Sequence, residues 1–247
     1  MAVLVDPRAG AGPPHPVIAI AAPGRRGYLA VMRRLLILLS CLLPFSAVAH
    51  PHVFVDTGFR VIYDAQNRLT HVEVTWAYDD FYSLLILEDS GLDSDGDGVL
   101  TPEEQTELTG FDMNWAQGFE GDFYLELDGR PLPLSGPREP TAEVQDGRIV
   151  TTHLRAVETP VATGGDVLTA RAYDPSYYTA YELNRPVTVE STAACLVERI
   201  DPDIDGKLAQ MQAMLLRIDA DADLEENDIP LVGEEFATEI RVSCPVS

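Results

Sequence analysis

The chain is short of basic residues, of histidine and of cysteine. Its 247 residues include 17 lysines and arginines against 40 acidic residues, with five histidines and three cysteines, and the formal net charge is −23. Such a chain repels the phosphates of nucleic acids and anionic lipid head groups, and it attracts cations. We therefore expect no nucleic-acid partner, and we expect cations among the ligands.

Common catalytic signatures are also absent from the sequence. It contains no nucleophile elbow, zinc-protease helix, phosphate loop or nucleotide-binding fingerprint, which are short motifs with known chemistry. Several acidic and tyrosine residues could line a cleft, but their spacing assigns them no chemistry: Asp79, Asp80, Asp174, Tyr173, Tyr177 and Tyr178. We therefore expect a binding protein and not an enzyme.

The apolar run near the start is too short for a membrane-spanning helix. It follows Arg33 and Arg34, contains Pro44 and ends near Ala49, whereas a spanning helix needs about 20 apolar residues. A positive start, a short apolar core and an A-x-A exit are the parts of a secretory signal peptide. We expect a signal peptide at 32–49, rather than a membrane anchor, and no stable membrane insertion after its cleavage.

The residues around the signal peptide leave alternatives open. Residues 1–31 are rich in Pro, Gly and Ala, and Met32 directly precedes the arginines, which indicates an over-extended gene start or a long leader. The segment 38–41 loosely resembles a lipoprotein box, so a lipid anchor at Cys41 is the alternative to a free periplasmic protein. We expect residues 50–247 to form a single exported, periplasmic domain.

Removal of Cys41 with the signal peptide would leave two cysteines, Cys195 and Cys244. An even pair in an exported protein predicts a disulfide. The loop-entropy model values such a long closed loop at ~4 kcal/mol before any strain. Two free thiols are the alternative.

Hydrophobic periodicity predicts an α+β fold that is mostly antiparallel β, in a sandwich-like or meander sheet. Two alternating runs, 53–63 and 71–76, predict a hairpin. Further strands are predicted at 123–127, 141–145, 148–157, 166–174, 185–190 and 236–242. A C-terminal helix, predicted at 207–218, precedes the last strand.

Two more helices are predicted on either side of an acidic loop. Asp79 is a favourable N-cap, and apolar residues follow it at helical spacing. Thr101 and Glu104 form a capping box with Pro102 at the first helical position, so the second helix begins there and runs to about Gln117. Together these elements predict an inserted EF-hand-type helix–loop–helix.

Residues 93–104 carry the pattern of an EF-hand calcium loop. That motif needs oxygen ligands at its first, third and fifth positions, a main-chain carbonyl at the seventh, a bidentate glutamate at the twelfth and glycine at the sixth. Gly98 takes the glycine position. The predicted calcium ligands are Asp93, Asp95, Asp97, the carbonyl of Val99, Thr101 and Glu104.

A second stretch, 201–212, echoes this loop. Its twelfth residue is Gln212, which lacks the bidentate carboxylate, and Pro202 is unusual within such a loop. The stretch is either a weak cation site or an acidic helix start with Asp205 as its cap.

Cleavage after Ala49 would give the exported domain a histidine-containing start. The α-amine and imidazole of His50 can chelate a metal together, and His52 offers a second imidazole. Nitrogen ligands suit Zn²⁺, Ni²⁺ or Cu²⁺ rather than Ca²⁺. The sequence therefore predicts a transition-metal site of His50, His52 and Asp79, and the alternative is an ordinary strand start. His71 and His153 lie within predicted strands, and His153 is expected to be structural.

Four segments together resemble the domain-of-unknown-function 1007 family: 50–56 (HPHVFVD), 76–81 (WAYDDF), the acidic loop 93–104 and 173–178 (YDPSYY). Members of that family are exported bacterial proteins, often encoded beside nickel/cobalt-type exporters or zinc uptake systems. The resemblance spans nearly all of residues 50–247 and implies a role in transition-metal homeostasis, with an inner-membrane metal permease or transport system as partner.

The residues and the resemblance together predict a periplasmic calcium-binding protein. It would act as a binding or accessory component in the transport of nickel, cobalt, zinc or copper. The alternative is a calcium-stabilised periplasmic interaction module with no transition-metal role.

Overall fold

The structure is a computed structural model that describes residues 53–207 and 231–245. The expected signal peptide at 32–49 and the histidines His50 and His52 lie outside these residues, as does most of the helix predicted at 207–218. Within the described residues, no helix is long and apolar enough to cross a membrane.

Alternating apolar residues form eleven strands in the described part of the chain. They are β1 (Val53–Tyr63), β2 (Arg68–Tyr78), β3 (Phe123–Leu127), β4 (Arg130–Pro131), β5 (Arg138–Gln145), β6 (Arg148–Ala162), β7 (Val167–Ala172), β8 (Thr179–Glu182), β9 (Val187–Glu190), β10 (Leu196–Ile200) and β11 (Glu239–Ser243). Helix α1 spans Asp80–Ser90, helix α2 spans Pro102–Leu108, and Gly233–Phe236 forms a short 3-10 helix.

The strands form two sheets. The first has the order β5-β6-β2-β1-β8, with β9 also paired to β1, and the second has the order β10-β11-β7-β3-β4. Neighbouring strands are antiparallel except that β8 and β9 run parallel to β1. The predicted hairpin of β1 and β2 is confirmed. The parallel pairs were not predicted, because they follow a long crossover through the second sheet that leaves no local pattern in the sequence.

The two sheets share one apolar core. Phe59 of β1 and Phe123 of β3 meet edge to face across it, with ring centroids 5.0 Å apart. Val74, Leu125 and Leu168 belong to the same buried cluster. Burial of such side chains from both sheets is the main force that holds them together. The prediction of an α+β, mostly antiparallel β fold is confirmed.

Asp-Gly pairs close two of the hairpins. Asp128 and Gly129 join β3 to β4, and Asp146 and Gly147 join β5 to β6, all with φ between 48° and 80°. Positive φ at both central residues gives a turn whose twist matches that of the flanking strands. These residues therefore set the register of the two hairpins.

Helix α2 is shorter than predicted: it ends at Leu108 and not near Gln117. Phe111, Met113 and Trp115 all pack against the core. A helix with about 3.6 residues per turn cannot direct three residues spaced two apart to the same side. The chain from 109 to 122 is therefore irregular, and we call it the covering segment.

The C-terminal elements also differ in detail. Residues 204–207 are helical, and the side chain of Asp203 accepts a hydrogen bond from the Gly206 N–H at 3.1 Å. The cap of this helix is therefore Asp203, and the prediction of Asp205 was wrong. The last strand, predicted at 236–242, spans Glu239–Ser243, because a 3-10 helix precedes it.

The predicted disulfide is present. Cys195 and Cys244 are bonded, with a sequence separation of 49 residues. They adjoin the paired residues Leu196 and Ser243 of β10 and β11, so strand pairing places them opposite each other. Such a bond indicates a non-reducing compartment.

Replacing both cysteines by serine should lower the free energy of unfolding by about 2–5 kcal/mol. β10 is the edge strand and pairs with β11 alone in the described sheet, so the bond fixes an otherwise weakly held strand. Denaturant unfolding measures the effect, with the reduced parent protein as the control. A Cys195→Ser/Cys244→Ser variant as stable as the oxidised parent would contradict this role.

Candidate functional site

The acidic loop 93–104 joins α1 to α2, in the predicted helix–loop–helix arrangement. α1 begins after Asp79, whose Oδ1 accepts a hydrogen bond from the Tyr82 N–H at 2.8 Å. It ends at Ser90, and Gly91, two residues before Asp93, is its C-cap with φ 68°. The predicted capping box of Thr101 opens α2.

The loop brings together three of the predicted calcium ligands. The carboxylates of Asp93, Asp95 and Asp97 each offer an oxygen, and these oxygens lie within 4.8 Å of one another. Both carboxylate oxygens of Asp93 accept from the Gly98 N–H at 3.2 Å. Gly98 has φ 76°, which most other residues adopt only with strain. The tight turn therefore needs the glycine that the sequence provides at this position.

Glu104 lies at the closing end of the loop. Its Oε1 accepts from the Asp93 N–H at 3.1 Å, and its Oε2 accepts from the Thr101 N–H at 2.9 Å. The hydrogen bonds from Thr101 hold the pKa of Glu104 below its ordinary value. The carboxylate therefore reaches from the end of the loop to its start, but it takes part in the capping box and is not grouped with the three aspartates.

The donor set fits a hard divalent cation. Carboxylates, the carbonyl of Val99 and the hydroxyl of Thr101 are oxygen ligands of the kind that Ca²⁺ takes. The side chain of Leu100, next to Val99, packs against the core and anchors the loop. The three grouped aspartates could hold a metal ion, and their oxygen donors are of the kind that suits the predicted ion.

The structure places Asp79 beside the start of β1. Its Oδ2 accepts from the Phe54 N–H at 2.9 Å, and Phe54 follows His52 by two residues. His50 and His52 themselves lie outside the described residues. His71 is half-buried near the other end of β2, about 20 Å or more along the strand at roughly 3.3 Å per residue, so it is not brought to Asp79.

A second site, which was not predicted, lies beneath the covering segment. The inner face of β6 carries three fully buried polar residues, Thr151, His153 and Arg155. The guanidinium of Arg155 donates to the carbonyl oxygen of Glu120 at 2.7 Å and lies 5.0 Å from the ring of Trp115. Burial lowers the pKa of Arg155 to about 10. The covering segment is therefore fixed over β6.

Between this segment and the first sheet is a cleft of about 380 Å³. It contains two carboxylates that tyrosines hold in place. Asp112 Oδ2 accepts from the Tyr78 hydroxyl at 2.8 Å and from the Thr151 hydroxyl at 2.8 Å. Asp122 Oδ2 accepts from the Tyr181 hydroxyl at 3.0 Å.

Burial raises the pKa of both carboxyl groups. The pKa of Asp122 rises to about 7, because burial and the nearby Asp174 outweigh its hydrogen bond from Tyr181. The pKa of Asp112 is also raised by burial. His153 lies 4.6 Å from Trp76, measured between ring centroids, and burial lowers its pKa to about 3. His153 is therefore neutral and packed in the core.

Of the cleft residues suggested by the sequence, Tyr178 alone is in the cleft. Tyr173 stacks on Tyr124 instead, with centroids 4.2 Å apart. Asp174 accepts hydrogen bonds from Ser176 and other residues of its own turn. Asp112 gave no local signal, because it lies in what the sequence predicts to be the second half of a helix.

These features define an α+β protein whose polar chemistry is concentrated in an acidic loop and a carboxylate-lined cleft. The model of the family described as Protein of unknown function (DUF1007) matches residues 35–244. The chain belongs to this family.

The chain is also similar to an uncharacterized protein of Haemophilus influenzae. The two are 23% identical over 217 residues, which cover 86% of this chain and 100% of that protein. No solved structure matches the chain.

The environment of Asp122 predicts a dependence of stability on pH. Its pKa is about 7 in the folded chain, against an ordinary value of 3.8, so the unfolded chain loses this proton first as the pH rises. As the pH rises from 3.8 to about 7, the contribution of Asp122 to the free energy of unfolding should therefore fall, by up to about 1.4 kcal/mol per pH unit. Asp122→Asn should gain stability relative to the parent over the same range.

Denaturant unfolding across this pH range checks the prediction. Asp166→Asn is the matched control, because Asp166 is exposed before β7 and lies outside the cleft. A constant difference in stability between Asp122→Asn and the parent would mean that Asp122 is already ionised in the fold.

Proposed function

We propose that the protein is an exported calcium-binding protein that holds one ion in the loop 93–104. The observation that carries this proposal is the convergence of the Asp93, Asp95 and Asp97 carboxylates to within 4.8 Å. Like charges so close repel one another unless a cation lies between them. The ion would stabilise the fold rather than switch it, as expected for extracellular sites with dissociation constants of roughly 10⁻⁴–10⁻³ M.

Calcium is expected to stabilise the native chain. Binding to the folded state alone adds ~2.7 kcal/mol when free calcium is 100 times its dissociation constant. Thermal unfolding of the exported domain, in chelator and then in millimolar calcium, measures this shift. An identical melting temperature in both conditions would refute the calcium site.

Glu104→Gln should abolish most of that shift. Glutamine can replace glutamate in a capping box, so α2 keeps its start, but the charged bidentate ligand is lost. Glu103→Gln is the matched control, because Glu103 is the neighbouring acid on the same helical turn and is not a predicted ligand. A full calcium shift in Glu104→Gln would remove Glu104 from the site.

A second function, the handling of a transition metal, is supported by the position of Asp79. Its carboxylate is bonded to the Phe54 N–H at 2.9 Å, two residues after His52. We propose that His50 and His52 bind Zn²⁺, Ni²⁺ or Cu²⁺ near this carboxylate, and that the protein serves an inner-membrane metal permease as a binding or accessory component. The competing interpretation is a calcium-stabilised interaction module without this role.

Transition-metal binding should depend on a free α-amine at His50. An added N-terminal glycine moves that amine away from the imidazole, so zinc, nickel or copper affinity should fall sharply. Affinity should rise from about pH 6 to about pH 8 in the native-start protein, because imidazole and amine must lose protons to bind. Calorimetric titration of both forms tests this, with calcium stabilisation as the control. Equal affinities would leave His50 and His52 as part of an ordinary strand start.

A further inference from the structure

We propose that the cleft beneath the covering segment binds a free, protonated alkyl amine. The carboxylates of Asp112 and Asp122 supply its charge partners. Aromatic rings form the walls: Trp76, Tyr78, Tyr82, Trp115, Phe119 and Tyr181. The volume of about 380 Å³ falls at the small end of the range in which proteins hold small molecules. This site shares no residue with the calcium loop and does not rest on calcium binding.

The two carboxylates of the cleft offer acceptors to a ligand that donates. The hydroxyl of Tyr78 already donates to Asp112, and the hydroxyl of Tyr181 already donates to Asp122. The indole N–H of Trp115 donates to the main-chain oxygen of Asp112 at 2.9 Å. Two buried atoms of the lining, the acceptor Asp112 Oδ1 and the donor Trp76 Nε1, have no hydrogen-bond partner among the described residues. An ammonium group carries donors and no acceptor, so it can bond to Asp112 Oδ1 and leaves the indole N–H of Trp76 unpartnered.

The charges around the cleft favour the same ligand. Within the described part of the chain, no Lys, Arg or His lines the cleft. Arg155 lies behind the ring of Trp115, and its guanidinium donates to the carbonyl oxygens of Ser135 and Glu120. Burial away from any such cation raises the pKa of Asp112 and of Asp122. A bound ammonium ion would stabilise both carboxylates, and the rings would add cation–π attraction.

Intrinsic fluorescence can report the binding, because both tryptophans of the chain, Trp76 and Trp115, line the cleft. Titration of the exported domain with butylammonium chloride should give a saturable change. Butanol, which has the same alkyl chain without the charge, should give none. Ammonium chloride at equal ionic strength is the control for salt.

Two variants test whether the ligand binds in the cleft. Asp112→Asn and Asp122→Asn should each weaken butylammonium binding by about tenfold or more, because each removes one partner of a buried, charge-assisted hydrogen bond. Asp166→Asn, an exposed acid outside the cleft, should bind as the parent does. If Asp112→Asn fails to fold, Asp122→Asn alone tests the site. This variant should fold, because it removes a carboxylate whose charged form is destabilised by burial.

Several outcomes would overturn the proposal. They are an equal response to butanol, an unchanged affinity in the folded variants, and no saturable response at all. Binding that appears only after residues 50–52 are removed would assign the cleft to the amino terminus of the chain, and would also overturn it. Co-sedimentation with phosphatidylethanolamine vesicles, competed by butylammonium, would support the ammonium site but identify a lipid head group as its source.

Discussion

Arg155 places a positive charge inside the core, and the conformation of residues 109–122 depends on it. Its guanidinium donates to the main-chain oxygens of Ser135, Glu120 and Phe123, at distances between 2.7 and 3.3 Å. A buried charge is costly unless such hydrogen bonds are made. Burial of Arg155 therefore requires an ordered covering segment, and the covering segment in turn is ordered by Arg155. In this way an irregular stretch of chain forms a fixed wall of the cleft.

This wall connects the two candidate sites. It follows α2 directly, and α2 begins within the acidic loop at Pro102, with Thr101 as its N-cap. α2 is also held to β5, because the side-chain amide of Gln105 donates to the carbonyl oxygen of Ala142 at 3.1 Å. A cation that orders the loop would therefore steady α2, and with it the start of the segment that carries Asp112 and Asp122. Calcium and cleft would be linked through a short, continuous piece of chain.

The features that follow from local pattern could be predicted from the sequence. The acidic loop was predicted because its candidate ligands lie within twelve consecutive positions, and the disulfide because removal of Cys41 would leave two cysteines and a single pairing. The hairpins followed from alternation and from turns such as Asp146-Gly147. Each of these predictions depends on residues that are close in the sequence or, for the disulfide, on the number of cysteines. None of them requires knowledge of the remaining fold.

The cleft could not be predicted in the same way. Its carboxylates lie on the covering segment, whereas their tyrosine partners Tyr78 and Tyr181 come from β2 and β8. β8 reaches β1 by a parallel crossover, which periodicity does not reveal. The sequence also suggested that helix α2 continues past Leu108, and that error hid Asp112 within a helix. The structure of the chain after Leu108 is determined by tertiary packing of Trp115 on Arg155 and not by helix propensity.

The central claim is that the loop 93–104 holds calcium. A crystal structure of residues 50–247 grown with calcium, with anomalous scattering recorded, tests it most directly. We expect one anomalous peak at about 2.3–2.6 Å from oxygens of Asp93, Asp95 and Asp97, with Glu104 turned from its capping-box position to bind the ion through both oxygens. Density without such a peak, and with Glu104 still bonded to the Asp93 N–H, would contradict the account.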